Sequence, residues 1–255
     1  MAKVSIGTLD TATIVEAPPG SSGAIETRAY FTCERHPIHL QLHRLGAGAR
    51  LRIDGAERDR LVYVWEGAVE AGATRMDHGS SLVVELGASL TVTAGRTGAV
   101  VLSYNLRDEL GEPRAGGHVH LMPTGIVPRT DSMLGSTIGA GIHFNAECPT
   151  CTMWLHENDF LGDHVVAPHS HSKDELIFIR EGSIRLGTKL YPRGTAVLLQ
   201  ADTDYGFASG PDGMGTVDFR GGAPILTPAD GSPVIIESEM WAKVGVPRYQ
   251  KLETA

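Results

Sequence analysis

Three residues in the C-terminal half of the chain have the types and the spacing of a metal site. They are His169, His171 and Glu175, in the segment His-Ser-His-Ser-Lys-Asp-Glu. Side chains alternate along a β-strand and the three positions share one parity, so an extended chain can turn them toward one point. Two neutral imidazoles and a carboxylate hold Fe(II), Mn(II), Ni(II) or Zn(II) and leave coordination positions open. We predict one divalent transition metal ion per chain here; the alternative is a set of solvated polar residues on a loop.

The elements that position these residues belong to an internal repeat. The run Leu-Val-Tyr-Val-Trp-Glu-Gly at 61–67 is echoed by Leu-Ile-Phe-Ile-Arg-Glu-Gly at 176–182, an offset of 115 residues. The same offset places the glycines at 72, 79 and 95 on those at 187, 194 and 210. This self-similarity predicts two copies of one unit, about residues 25–110 and 140–225, joined by a connector that contains glycine and proline.

Both copies have the pattern of an all-β fold. Short runs of β-branched and aromatic residues stand between turn signals, and the chain spreads 31 glycines and 14 prolines along its length. Apolar residues at consecutive positions, as at 176–179, indicate strands buried on both faces. We expect the tail at 233–241 to begin as a strand and to turn into a short segment that covers a barrel end.

The metal segment resembles the first motif of the cupin superfamily, G-x5-HxH-x3,4-E-x6-G. His169, His171, Glu175 and Gly182 match it, and Gly162 is one residue away from the leading glycine. The resemblance implies a bicupin, with two tandem cupin jelly-roll (double-stranded β-helix) barrels. It implies a metal-binding barrel at 140–225 and a degenerate barrel without a metal site at 25–110.

The second cupin motif, G-x5-PxG-x2-H-x3-N, is only partly matched. It starts at Gly194, but Gln200 stands in place of the proline, Asp202 in place of the second glycine and Tyr205 in place of the histidine ligand. A phenol has an ordinary pKa near 10, so it ligates strongly only where the metal displaces its proton. Tyr205 is therefore a fourth ligand, an acid or base beside the metal, or a packing residue. We predict the second role, that of a catalytic residue.

The first copy lacks these ligands. At the same offset, His169 corresponds to Asp54, His171 to Ala56, Glu175 to Arg60 and Tyr205 to Leu90. We expect no metal at this place in the first copy. Asp54 and Arg60 either pair with each other in place of the ion or are two surface charges.

Other histidines and cysteines carry weaker signals. His156 and His164 lie close enough in sequence to the metal segment to enter its pocket, although a lone histidine is more often structural. The pair His118 and His120 has no acidic residue following at a ligand spacing, so we treat it as structural. Cys148-Pro-Thr-Cys151 is interpreted as ordinary thiols near a turn, with a redox or zinc half-site as the alternative; Cys33 is the third cysteine.

Charge and hydropathy narrow the class of partner. The formal net charge is -8, with no basic stripe, so we expect no nucleic-acid or anionic-membrane partner. No apolar run has the roughly 18 residues of a membrane helix, and the N-terminus lacks a signal-peptide core. We expect a cytoplasmic protein with a small-molecule partner, and by the family resemblance a homodimer.

The function expected from these residues is that of a metal-dependent enzyme acting on a small organic molecule. Since cupins host many reactions, the fold does not choose among them. An Fe(II)-type dioxygenase is the leading prediction, and an oxygen-independent lyase, isomerase or hydrolase is the alternative. The chain is also similar in length to the ureidoglycine aminohydrolases, Mn-dependent bicupins with a different ligand order, so that activity is not carried over. A non-catalytic small-molecule-binding cupin is the third class.

Overall fold

The computed structural model describes residues 3–31, 36–106, 117–131 and 137–252. The chain divides into two compact units. The N-terminal unit comprises Asp10–Val127, Pro149–Cys151 and Arg248–Ala255, and the C-terminal unit comprises Met1–Leu9, Pro128–Cys148 and Thr152–Pro247. Cys33 lies outside the described residues.

Strands dominate the described residues, and one short α-helix is present. In chain order the elements are β1 Val4–Gly7, β2 Thr13–Val15, β3 Ile25–Ala29, β4 Ile38–Leu45, β5 Arg50–Asp54, β6 Arg60–Ala71, β7 Thr74–Asp77, β8 Ser81–Val84, β9 Ser89–Leu106, β10 Val119–Met122, a 3-10 helix Thr124–Ile126, β11 Arg129–Thr130, β12 Thr137–Asn145, β13 Trp154–Phe160, β14 Val165–His171, β15 Glu175–Leu186, β16 Lys189–Pro192, β17 Ala196–Leu199, β18 Tyr205–Arg220, β19 Ile225–Pro228, β20 Ile235–Ile236, α1 Glu237–Trp241 and β21 Gln250–Leu252. No helix among these is long and apolar enough to cross a membrane. The all-β prediction, with jelly-roll barrels, is confirmed.

The N-terminal unit is one antiparallel sheet in the order β2-β3-β4-β9-β6-β8-β10-β21, with β5 on β9 and β7 on β6. The long strand β9 exchanges partners along its length: its first half pairs with β5, its second half pairs with β4, and β6 pairs with both halves. These strands surround an apolar core. That core includes Leu90, the residue that corresponds to Tyr205.

The C-terminal unit repeats this plan in the order β1-β17-β15-β18-β13-β12-β11, with β14 between β18 and β19. Its long strand β18 pairs first with β14 and then with β13, while β15 pairs with both halves. The chain ends are exchanged, because β1 pairs with β17 in this unit and β21 pairs with β10 in the N-terminal unit. Each unit therefore contains one strand from the opposite end of the chain.

The sequence repeat corresponds to repeated structure. The strands β6, β7 and β8 each begin 115 residues before β15, β16 and β17. Gly67 and Gly182 occupy equivalent β-bulges with φ of 70° and 63°. A Cβ atom would lie 2.3 Å from the Gly98 carbonyl oxygen at the first position and 2.1 Å from that of Gly213 at the second. Both the left-handed backbone and the close strand approach require glycine there.

The replacement of the second cupin-motif glycine by Asp202 can be compared with the backbone at that position. Asp202, which replaces the second glycine of the cupin motif, has a positive φ of 57°. Its backbone N–H donates to the His171 carbonyl oxygen at 2.8 Å.

The tail is a short strand, β20, followed directly by α1, as predicted, and α1 buries Glu237 and Trp241.

Candidate functional site

The C-terminal unit contains a cavity of about 270 Å³ between β13, β14, β15, β18 and α1. Its wall is mainly apolar and aromatic, with Phe160, Phe207 and Trp241 among the lining residues. Its polar groups are the predicted His169, His171, Glu175 and Tyr205, together with residues of β13, β18 and α1. An apolar pocket with a few convergent polar groups is the usual form of a small-molecule site.

His169 and His171 alternate on β14 and both face this pocket, as their shared parity predicted. Their side chains are buried, and the two ring centroids are 4.9 Å apart. His169 donates from Nδ1 to the Ala167 carbonyl oxygen at 2.8 Å, and His171 Nδ1 lies 2.6 Å from Glu237 Oε1. Nδ1 of each ring thus lies beside an oxygen atom, and in a neutral ring with its proton on Nδ1 the lone pair is on Nε2. Burial lowers the pKa of His169, which keeps that ring neutral.

Glu175 begins β15, pairs with Arg220 of β18 and is 2% exposed. Its Oε2 accepts a hydrogen bond from the Tyr205 hydroxyl at 2.5 Å and lies 3.6 Å from His171 Nε2. Its Oε1 accepts a hydrogen bond from Arg220. Burial alone would raise the pKa of Glu175, but the charge of Arg220 and the hydrogen bond from Tyr205 lower it below its usual range. Glu175 is therefore a carboxylate.

Tyr205 begins β18, and its backbone pairs with that of His169. Its ring packs against His169, with centroids 4.6 Å apart, and stacks on Phe207. Burial, and then the neighbouring charge of Glu175, raise the pKa of Tyr205 well above 10. The phenol is protonated and donates its hydrogen bond to the Glu175 carboxylate.

Arg220 is the main pocket residue that the sequence analysis missed. It ends β18 opposite Glu175, and its side chain is 3% exposed. Its Nη2 lies 3.2 Å from His171 Nε2 and also contacts Glu175, while its Nη1 donates to Glu237 Oε2 at 3.1 Å. Burial acts to lower the pKa of Arg220, but Glu175 and Glu237 raise it, so the guanidinium is charged. A signal was present, because Thr216, Asp218 and Arg220 alternate with apolar residues in β18.

Glu237 is the second missed residue, contributed by the tail. Burial would raise its pKa, but Arg220 and His171 lower it to about 2. The two carboxylates of Glu175 and Glu237 outweigh the single guanidinium of Arg220, so these three side chains carry a net negative charge in a buried pocket. Because Arg220 Nη2 contacts both His171 Nε2 and Glu175, a divalent cation would fit this ligand set only after the guanidinium moves away.

Of the two further histidines, only His156 lines the pocket. Trp154 donates from Nε1 to His156 Nδ1 at 2.9 Å, and because tryptophan is only a donor, His156 carries its proton on Nε2. That nitrogen lies 3.1 Å from Asp218 Oδ2. His164 instead stacks on Phe160 and is not among the lining residues.

The first repeat has a different arrangement at the equivalent positions. Asp54 is exposed and its carboxylate pairs with Arg52, while Arg60 donates to the Asp54 backbone carbonyl at 3.3 Å. Of the two alternatives for Asp54 and Arg60, the structure does not show the buried side-chain pair, because the Asp54 carboxylate is exposed and faces Arg52. Ala56 is exposed and Leu90 is buried in the core.

Comparison with known proteins supports the fold. The Escherichia coli protein Ylba, described under the family model DUF861, has a TM-score of 0.65 at 14% identity, covering 85% of this chain and 90% of its own. An oxalate decarboxylase from Lactobacillus farciminis, in a formate complex, has a TM-score of 0.68 at 10% identity over 93% and 90%. The bacterial pirin YhhW from Escherichia coli, in complex with nickel(II), has a TM-score of 0.61 at 9% identity over 86% and 99%.

No protein-family model and no curated protein matches the sequence. At such identities the structural likeness shows the fold alone, and these neighbours have the cupin fold.

Proposed function

We propose that the chain is a metal-dependent enzyme that acts on a small organic molecule in the pocket of its C-terminal unit. The observation that carries the proposal is the pair of buried imidazoles on β14, each with Nδ1 facing an acceptor, beside the carboxylate of Glu175. His169, His171 and Glu175 would hold Fe, Mn, Ni or Zn. A metal bound there would act as a Lewis acid toward a substrate oxygen.

Nickel(II) in the pirin structure and formate in the oxalate decarboxylase structure support a metal site and a small carboxylate ligand in this fold. The cavity of about 270 Å³ limits the substrate to a small molecule. In the proposal, the first copy keeps the barrel but not the ligand set, which makes the chain a bicupin with one metal site of this kind.

The other pocket residues have separate roles in this proposal. Tyr205 holds a proton at its hydroxyl, next to Glu175, and can deliver it to a bound substrate. Glu237 and Arg220 orient His171 and Glu175 through direct contacts. Phe160, Phe207 and Trp241 exclude water from the cavity.

The position of the Tyr205 hydroxyl beside Glu175 supports an oxygen-independent proton-transfer reaction, as in a lyase, isomerase or hydrolase, as the first candidate. An Fe(II)-type dioxygenase is the second candidate, since a ligand set of three leaves positions open. Substrate-dependent oxygen consumption by the iron-loaded protein distinguishes the two. Tight binding of a small carboxylate without any product would instead indicate a binding module.

Metal analysis of the purified protein tests the proposal. His169→Ala combined with His171→Ala should remove one equivalent of divalent transition metal, because a single carboxylate does not compete with water for the ion. His164→Ala is the matched control, since this histidine precedes the same strand but does not line the pocket. Metal content equal to wild type in the folded double variant would contradict the site.

A further inference from the structure

A second cluster of metal-ligating side chains lies next to β8 and β10. Glu85 follows β8, and His120 lies in β10, which pairs with β8. Both side chains are 1% exposed, and His120 Nε2 is 2.6 Å from Glu85 Oε1. Cys151 is also buried. The donor atoms of these three residues all lie within 4.8 Å of one another.

A fourth donor comes from the sequence motif. Cys148 stands three residues before Cys151, and it is the fourth member of this cluster. Neither cysteine is in a disulfide. A Cys-x-x-Cys segment brings two thiolates onto one ion, and here the turn that contains them also places Thr150 against Glu85.

Two hydrogen bonds hold the Glu85 carboxylate of this cluster in place. Thr150 donates to Glu85 Oε1, and the His118 backbone N–H donates to Oε2 at 2.9 Å. Hydrogen bonds of this kind fix the direction of a metal-ligating carboxylate.

We propose that Glu85, His120, Cys148 and Cys151 bind one Zn(II) ion, at a site separate from the pocket of the proposed function. Two thiolates, one imidazole and one carboxylate match the tetrahedral preference of zinc, and thiolates select it over harder divalent ions. Four protein ligands leave no open position, so the site is structural. Binding displaces the two thiol protons and ties β8 and β10 to the turn that carries the cysteines.

Metal content and cobalt substitution test this site. We expect the His169→Ala, His171→Ala variant, purified under reducing conditions, to retain one zinc equivalent. Co(II) added to the metal-free protein should give the thiolate charge-transfer absorption of a tetrahedral site. Both signals should be lost in Cys148→Ser with Cys151→Ser and kept in Cys33→Ser, the control that removes the third cysteine.

Two further measurements test the zinc site without the cysteine variants, which are uninformative if they do not fold. In wild-type protein, zinc should protect Cys148 and Cys151 from alkylation while a denatured sample reacts fully. Thr150→Val removes only the hydroxyl donor to Glu85 and should weaken zinc affinity by about 10–100-fold. Equal alkylation with and without zinc, or Co(II) binding without thiolate absorption, would overturn the proposal. A disulfide between the two cysteines that forms in air and is unaffected by zinc would instead assign a redox role.

Discussion

Replacement of Arg220 by methionine tests the electrostatics of the pocket. Arg220 is the cation between Glu175 and Glu237, and all three side chains are 3% exposed. Removing one partner of a buried ion pair leaves an uncompensated charge and typically costs about 3–5 kcal/mol. Here two carboxylates lose the same partner, so we expect metal-free Arg220→Met to lose at least about 3 kcal/mol in its free energy of unfolding.

The control is Arg185→Met, which removes an arginine from an exposed pair with Asp163. Exposed pairs contribute about 0–1 kcal/mol, so this change should be nearly neutral. Urea unfolding of the metal-free proteins, followed by circular dichroism, measures both effects. A loss for Arg220→Met no larger than that for Arg185→Met would refute the reasoning.

A divalent ion should partly replace the missing guanidinium. At a concentration of 100 Kd, a ligand that binds only the folded state adds about 2.7 kcal/mol of stability. Because Arg220 competes with the ion for Glu175 and His171, the gain on adding metal should be larger in Arg220→Met than in wild type. An equal gain in both proteins would show that the ion does not compete with the guanidinium.

Three further outcomes are expected. Tyr205→Phe should keep the metal but lower the turnover rate by about 10²–10⁴-fold, because it removes the proton donor. Metal content and turnover should be measured on the same preparation. Loss of the metal would instead show that Tyr205 is a ligand. Asp54→Ala with Arg60→Ala, at the corresponding positions of the first copy, should leave the metal content of the pocket unchanged, as checked by elemental analysis. Burial, and then the charge of Arg60, lower the pKa of His43 to about 4. The neutral His43 ring therefore contributes its full share to the free energy of unfolding above pH ~6.5, the ordinary pKa of histidine. As the pH falls to about 4, this free energy should decrease by about 3 kcal/mol. His43→Gln should flatten the free energy of unfolding over this range, and an unchanged pH profile would contradict the assignment.

The repeat and the polar face of β14 could be predicted because both depend on local periodicity. The offset of 115 residues corresponds to equivalent strands, and the shared parity of His169 and His171 places both in the pocket. Gly67 and Gly182 recur because a close strand approach excludes any Cβ atom at both positions. Constraints of this kind can be recognised from residue type and spacing alone.

The side chains that contact these residues could not be predicted, because they come from parts of the chain that are distant in sequence. Arg220 is 45 residues from Glu175, and Glu237 reaches the pocket only because α1 folds back on it. The sequence analysis treats His120 as structural because no acidic residue follows it at a ligand spacing. Its partner, Glu85, instead comes 35 residues earlier, directly after the neighbouring strand β8. Sequence spacing within one strand carries no information about such contacts.

The central claim is that one divalent transition metal ion binds His169, His171 and Glu175. Anomalous diffraction from metal-loaded crystals, collected at the absorption edge of the bound metal, tests it most directly. The account predicts a peak about 2.0–2.2 Å from Nε2 of both histidines and from the Glu175 carboxylate, with Arg220 moved off that carboxylate. A pocket without a peak in fully loaded crystals, with Arg220 still paired to Glu175, would contradict it.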